Sequence, residues 1–173
     1  MEEIILNFKK MDGTNIPDVE KYVKDWVTNN PFGTITIGCD SQVHGRRIKY
    51  STVVCMHYID RMGQGHGAHV IAADIWEKRM NNKSQVQEMP NKLWREAEYL
   101  LKAAQMVDGG SEHFKKRITV HLDYNSIAEA NAHANLSNML YASGVGYLTG
   151  MGYKAEGKPY AWAATHTADA LCR

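Results

Sequence analysis

The sequence has few cysteines, and none of them is placed for a disulfide framework or a zinc site. Cys39, Cys55 and Cys172 are scattered along the 173 residues, and no two of them form a CxxC pair. Disulfide-stapled secreted domains and cysteine-rich zinc modules carry more cysteines at closer spacing. We therefore expect a chain that is stabilised by an ordinary hydrophobic core, and its length suits one domain spanning residues 1–173.

Long apolar runs and a strong charge of one sign are also missing. No stretch of about 18 apolar residues occurs, so no membrane span is expected. The first residues, Met1 to Ile4, are acidic where a signal peptide would be basic, which favours a cytoplasmic protein. The formal charge is only +1. Any nucleic acid is therefore expected to bind at a local basic patch and not across the whole surface.

The first half of the chain predicts one helix followed by three strands. An apolar stripe at helical spacing predicts a helix at about 17–29, with Pro17 in its first turn. Alternating β-branched and apolar residues then predict strands at 34–40, 46–60 and 68–76. Because the connecting loops are short, these strands are expected to form an antiparallel meander.

The second half alternates helices with strands. The predicted elements after the meander are a polar loop at 80–90, a helix at 91–107, a strand at 117–123, an alanine-rich helix at 127–143 that Gly144 stops, a strand at 145–151, a loop at 152–158 and a last helix opened by Pro159. This order predicts an α/β fold with a mixed five-stranded sheet flanked by helices.

Two of the predicted strands end in an aspartate. Asp40 closes the first strand and Asp123 closes the fourth. If these strands are parallel neighbours, about 4.8 Å apart, their carboxylates lie side by side. A divalent cation such as Mg²⁺ or Mn²⁺ relieves the repulsion between them. Two such ions can stabilise the attacking and leaving oxygens of a phosphodiester displacement.

Other residues could complete such a site, although each of them alone is more often structural. Glu96 follows Leu93 on the buried side of its helix, whereas Glu98 lies on roughly the opposite face. We favour Glu96, and Glu98 stays open as the alternative. His166 and Asp169 are three residues apart on the last helix and are expected to share a face.

Four segments carry a resemblance to a known family. They read GCDSQ at 38–42, LWRE at 93–96, HLDYN at 121–125 and KPYAWAATHTAD at 158–169. Together they resemble the YkuK-like family of ribonuclease H-like proteins, and the likeness extends from about residue 16 to residue 173. The resemblance implies a ribonuclease H-like fold, which by itself does not fix the function.

The resemblance also implies roles for individual residues. The expected metal ligands are Asp40, Glu96, Asp123 and Asp169. His166 would be a mobile general acid and base or a phosphate contact, and Ser41 and Gln42 would line the site. Further candidates for substrate contacts are Asn125, Lys154 and Lys158, with Arg46 and Arg47 on a loop. Ordinary solubilising charge is an equally good interpretation of the basic residues.

Three functions are compatible with this pattern. The first is a metal-dependent nuclease that uses two Mg²⁺ or Mn²⁺ ions to cleave RNA, an RNA–DNA hybrid or branched DNA. The second is a non-catalytic nucleic-acid-binding module of the same fold. The third is a metal-dependent phosphatase or nucleotide hydrolase. Convergence of the four carboxylates would favour the enzymes over the binding module.

Overall fold

The computed structural model describes residues 4–79, 85–125 and 132–173. The strands are β1 (Lys9–Lys10), β2 (Thr34–His44), β3 (Arg47–Ile59), β4 (Gly65–Lys78), β5 (Ile118–Asn125) and β6 (Lys154–Lys158). The helices are α1 (Val19–Asn29), α2 (Gln85–Asp108), α3 (Glu112–Lys115), α4 (Ala132–Gly150) and α5 (Asp169–Cys172), and a π-helical turn (Ala163–Ala168) leads into α5. No helix among these residues is long and apolar enough to cross a bilayer.

The strands form one mixed sheet in the order β1-β4-β3-β2-β5-β6. β2, β3 and β4 make the predicted antiparallel meander. β5 runs parallel to β2, with Cys39 opposite Leu122. The next residue of each strand is therefore Asp40 or Asp123, so both aspartates lie just past the last pair of this parallel ladder. Neither residue closes its strand as predicted, because β2 continues to His44 and β5 to Asn125. The α/β fold with flanking helices is confirmed, but the sheet has six strands where five were predicted.

The predicted strand at 145–151 is wrong, because α4 continues through this segment to Gly150. The sixth strand is β6, at Lys154–Lys158, where a loop was predicted. Gly144 does not stop α4. A Cβ atom at this position would lie 2.6 Å from the ring of Tyr124, so the glycine lets the helix pack closely on β5. The strand missed at the other edge, β1, is only two residues long and pairs with β4.

The boundaries of two other predicted helices also differ. α2 begins at Gln85, so residues 85–90 are helical and Pro90 lies inside the helix. The first turns of α2 are held by the buried carboxylate of Glu88, which accepts a hydrogen bond of 2.7 Å from Arg79. Pro159 does not open the last helix, because helical structure starts near Ala163. Residues 80–84 and 126–131, parts of a predicted loop and helix, lie outside the described residues.

The two faces of the sheet are covered by different parts of the chain. α1, α2 and α4 pack on one face, against side chains that include Ile35, Ile37, Cys39, Val120 and Leu122. The π-helical turn covers the other face, where Ala163 and Ala168 pack on Val53 and Cys55. Gly38 makes this second contact possible. A Cβ atom on Gly38 would lie 2.5 Å from the backbone of Ala163 and Ala164. The turn consequently lies directly over β2 and brings α5 beside Asp40.

Candidate carboxylate site

The pKa of Asp40 is affected by the negative charges of other carboxylates of the site. Asp40 follows the buried residues 35–39 of β2 and is half-buried itself. Burial raises the pKa of Asp40 to about 6, and the charges of Asp123 and Asp169 add to this effect. The backbone N–H of Ser41 and the ammonium of Lys92 oppose it only partly. Three carboxylates from β2, β5 and α5 are therefore electrostatic neighbours.

Glu96 approaches the same site from α2. Its side chain is 2% exposed, and burial followed by the charge of Asp40 holds its pKa well above the usual range. The Ser41 hydroxyl donates a hydrogen bond to Oε1 of Glu96. Oε2 is buried and has no hydrogen-bond partner among the described residues. A buried carboxylate oxygen without a partner is costly, so this atom is suited to bind a cation.

Asp123 and Asp169 are each held by a neighbouring side chain. Oδ1 of Asp123 accepts a hydrogen bond of 2.8 Å from the Thr165 hydroxyl and lies 3.1 Å from the Lys158 ammonium. Oδ2 of Asp169 accepts a hydrogen bond of 2.6 Å from Arg173, one turn further along. The site therefore contains cations of the protein itself, which offset part of the repulsion between the carboxylates.

Glu98 has a different environment from Glu96. Its carboxylate is exposed and accepts a hydrogen bond of 2.7 Å from Arg95. Arg95 also bridges to Glu77. Glu98 is therefore part of a surface ion-pair network, whereas Glu96 is the carboxylate of α2 that faces Asp40.

His121 fixes the C-terminal segment beside the site. Its Nδ1 accepts a hydrogen bond of 3.1 Å from the backbone N–H of Ala163, and its Nε2 lies 3.5 Å from Glu156. Burial lowers the pKa of His121 to about 4, so the ring is neutral at physiological pH. Trp162 packs edge-on against this ring. These contacts indicate a structural role for His121.

The other predicted site residues are not all close to the carboxylates. Ser41 is buried and bonds Glu96, whereas Gln42, next along β2, is exposed. Asn125 is bound through its backbone, whose N–H donates to Ser137 Oγ at 2.9 Å. Lys158 lies at Asp123. Lys154 is on β6 opposite Thr119, four residues before Asp123, and forms an ion pair of 2.7 Å with Glu156.

His166 does not occupy the position that α-helical spacing predicts. It is exposed and lies in the π-helical turn, where backbone bonds span five residues and the turn is wider than in an α-helix. Its neighbour Thr165 is the residue of this turn that contacts Asp123. Thr165 was missed because nothing in its sequence context distinguishes it. Lys92, also missed, lies four residues before Glu96 and was detectable from helical spacing.

The chemistry of the donor atoms decides whether a divalent metal fits this site. Carboxylate oxygens are the donors that Mg²⁺ and Mn²⁺ prefer, and the unpartnered Oε2 of Glu96 suits such an ion. No group of three or more His, Cys, Asp or Glu side chains in the described ranges is arranged to hold an ion. Lys158 and Arg173 already engage Asp123 and Asp169. The donor chemistry therefore fits a metal, provided that these two carboxylates change partners when it binds.

Comparison with known proteins agrees with the fold. The family model described as Ribonuclease H-like matches residues 16–173. The chain therefore belongs to the ribonuclease H-like family, and membership in it indicates a nuclease-type or otherwise nucleic-acid-related function. No curated protein and no solved structure matches the chain.

Proposed function

We propose that this protein is a divalent-metal-dependent nuclease that acts in the cytoplasm and hydrolyses phosphodiester bonds of RNA, RNA–DNA hybrid or branched DNA. One observation carries the proposal. Carboxylates from β2, α2, β5 and α5 act electrostatically on one another beside the point where the parallel pairing of β2 and β5 ends. Clustered carboxylates destabilise a fold, and they repel the phosphates of a nucleic-acid substrate. A bound cation would offset both effects. The motifs at 38–42 and 158–169 favour the YkuK-like group within the family.

The ligand assignment follows from the position of each carboxylate. Asp40, Glu96, Asp123 and Asp169 would hold two Mg²⁺ or Mn²⁺ ions. When bound, these ions supply an activated water and neutralise the charge that develops on the phosphate oxygens.

The protein's own residues prepare the site for these ions and for the phosphate. Ser41 binds Oε1 of Glu96 and leaves Oε2 available. Thr165 orients Asp123. The Lys158 ammonium lies beside Asp123 and would contact a substrate phosphate. His166 is exposed on the π-helical turn, and we assign it the transfer of a proton to the leaving oxygen.

One observation favours a second candidate, a non-catalytic nucleic-acid-binding module. Lys158 and Arg173 already pair with Asp123 and Asp169, and no described group of three ligands is arranged around a single ion. This arrangement is expected of a module in which ammonium and guanidinium groups of the protein take the place of metal ions. In that case nucleic acid would bind equally well in EDTA and in Mg²⁺, and would not be cleaved.

The proposed activity is tested by incubating the purified protein with Mg²⁺ or Mn²⁺ and labelled single-stranded RNA, RNA–DNA hybrid, duplex DNA and a four-way junction. We expect at least one substrate to be cut, with no cleavage in EDTA. Cleavage of none of them would contradict the nuclease. In that case, release of phosphate from a nucleotide would identify the small-substrate hydrolase, and binding alone would identify the module.

The choice between the two glutamates of α2 is tested by a matched pair of variants. Glu96→Gln removes a carboxylate that faces Asp40, and cleavage is expected to fall about a hundredfold, the scale of losing one group that stabilises developing charge. Glu98→Gln removes only an exposed ion pair with Arg95, worth about 0–1 kcal/mol, and cleavage is expected to be unchanged. The rates are compared at saturating Mg²⁺. Equal loss in both variants, or loss in Glu98→Gln alone, would refute the assignment of Glu96.

A further inference from the structure

An exposed tryptophan is surrounded by cations on the face of the sheet that carries Asp40. The Trp76 side chain is 43% exposed. The guanidinium of Arg47 lies 4.8 Å from the centre of its ring, the Lys49 ammonium lies 6.0 Å away, and the His44 ring lies 5.3 Å away. Together with Lys78, which pairs with Arg47 across β3 and β4, these residues are called the Trp76 patch.

The strand register places the Trp76 patch beside the carboxylates. Asp40 pairs with Ser51, and Gln42, two residues on, pairs with Lys49, which in turn pairs with Trp76. Residues two apart on a strand point to the same face, so Asp40 and Trp76 share a face. A rise of about 3.3 Å per residue and a strand spacing of about 4.8 Å put their Cα atoms about 12 Å apart. The C-terminal end of α5 lies between them, because His44 contacts the carbonyl of Cys172 at 2.8 Å.

The cations of the patch fall into two groups. The Lys49 ammonium forms an ion pair of 3.1 Å with Asp74 and donates a hydrogen bond to the carbonyl of Leu171, so it is already neutralised within the protein. A ring nitrogen of His44 is likewise engaged, by the carbonyl of Cys172. Arg47 and Lys78, in contrast, form no ion pair with any described residue. Both are exposed. The patch therefore has a net positive charge at its outer rim, next to a partly open indole ring.

We propose that the Trp76 patch binds a single-stranded segment of nucleic acid that leads into the carboxylate site. Bases of a single strand can stack on an exposed indole and a guanidinium, and phosphates bind to uncompensated Arg and Lys side chains. A regular duplex has its bases already stacked on one another, so it gains only the phosphate contacts. The substrate of the site would then be a single strand or a structure with a single-stranded region. This specificity rests on the proposed nuclease function, whereas the binding itself does not.

Binding is measured by fluorescence anisotropy in EDTA, with labelled single-stranded RNA, single-stranded DNA and a duplex of equal length. Trp76→Ala is expected to weaken single-strand binding about tenfold, the scale of one lost base–aromatic stack. Trp76→Phe keeps an aromatic ring and is expected to retain most of the affinity. Arg47→Gln is expected to lower the salt dependence by about one phosphate contact.

Trp94→Ala is the matched control. Trp94 is 37% exposed, lies on α2 on the other side of the sheet, and contacts the ring of Tyr147 edge-on. Its removal is expected to leave single-strand binding unchanged. The thermal unfolding of every variant is recorded, so that a loss of binding in a protein that is still folded is attributed to the patch.

The outcomes separate this inference from the proposed function. It is overturned if the wild type does not bind single strands, if Trp76→Ala binds them like the wild type, or if single-strand and duplex binding weaken equally. Each of these results can occur with metal-dependent cleavage intact, which would leave the nuclease standing. A selective loss of single-strand binding supports the patch even where no cleavage is found, and the protein would then be a single-strand-binding module.

Discussion

Replacing Asp40 by asparagine is expected to abolish cleavage and, at the same time, to stabilise the metal-free protein. Cleavage should fall at least about a hundredfold, because Asp40 is one of the four carboxylates that we propose as metal ligands. Stability should rise because burial and the charges of Asp123 and Asp169 raise the pKa of Asp40 to about 6, so that its ionisation opposes folding at neutral pH. An asparagine side chain still accepts the backbone N–H of Ser41 and carries no charge.

The stabilisation by Asp40→Asn depends on pH, because folding raises the pKa of Asp40. The pKa of Asp40 rises from 3.8 in the unfolded chain to about 6 in the folded protein, so the folded state binds more protons between these values. The wild type therefore loses stability as the pH rises from about 4 to above 6, by up to about 3 kcal/mol before solvent screening. In Asp40→Asn this loss is absent. The two proteins should be equally stable near pH 4 and differ by about 1–2 kcal/mol at pH 7.5.

Urea unfolding in EDTA at both pH values measures the difference. Added Mg²⁺ or Mn²⁺ should then stabilise the wild type by mass action and leave Asp40→Asn almost unaffected, which reverses their order of stability. If Asp40→Asn were the less stable protein at pH 7.5 without metal, the carboxylates would not be repelling one another, and the electrostatic argument for the site would fail. A gain of stability at the expense of activity is a known property of functional sites.

Replacing Gly38 by alanine is expected to damage the site without touching any carboxylate. The added Cβ atom would lie 2.5 Å from the carbonyl carbon of Ala163 and from the nitrogen of Ala164. These are backbone atoms of the π-helical turn, so the turn has to move away from β2. Overpacking of this kind typically costs about 1–3 kcal/mol. Thr165 and Asp169 would move with the turn, and cleavage should fall by tenfold or more.

Gly146→Ala is the control for this substitution. Gly146 lies in α4, and a Cβ atom there meets no heavy atom within 4 Å. Alanine in a helix is about 0.5–1 kcal/mol better than glycine, so this variant should be slightly more stable and fully active. Urea unfolding and cleavage rates are compared for the two variants. A Gly38→Ala protein with the stability and activity of the wild type would show that the turn is not seated on β2.

The central part of the site could be predicted from local sequence patterns. Asp40 and Asp123 each follow a run of β-branched and apolar residues, and this pattern indicates the strand but not its last residue, because β2 continues to His44 and β5 to Asn125. The parallel pairing of β2 and β5 then follows from the order of the elements, and the register confirms it. Glu96 was distinguished from Glu98 by its helical phase relative to Leu93. The signals for the two strands and for Glu96 each lie within about ten residues.

The parts that were not predicted depend on contacts between distant residues. The stretch at 145–151 is apolar, and a short apolar run does not distinguish a buried strand from a buried helix. In the fold it continues α4 to Gly150, and Gly144 just before it packs closely on Tyr124, a contact between distant residues. The hydrogen bond from Thr165 to Asp123 spans 42 residues and has no local signature. The exposed position of His166 results from a π-helical turn, which sequence periodicity does not reveal.

The site is assembled only when the π-helical turn and α5 pack on β2. The thiol of Cys172 donates a hydrogen bond to the carbonyl of Asp40, which is 132 residues earlier in the chain. During synthesis, β2, β3 and β4 are made long before residues 163–172 appear. Until then Val53 and Cys55 have no cover, and Asp40 lacks the neighbouring charge of Asp169. An incomplete chain therefore has an exposed apolar sheet face and an incomplete carboxylate cluster. Docking of residues 163–172 covers this face, where aggregation could begin, and completes the cluster at the same time.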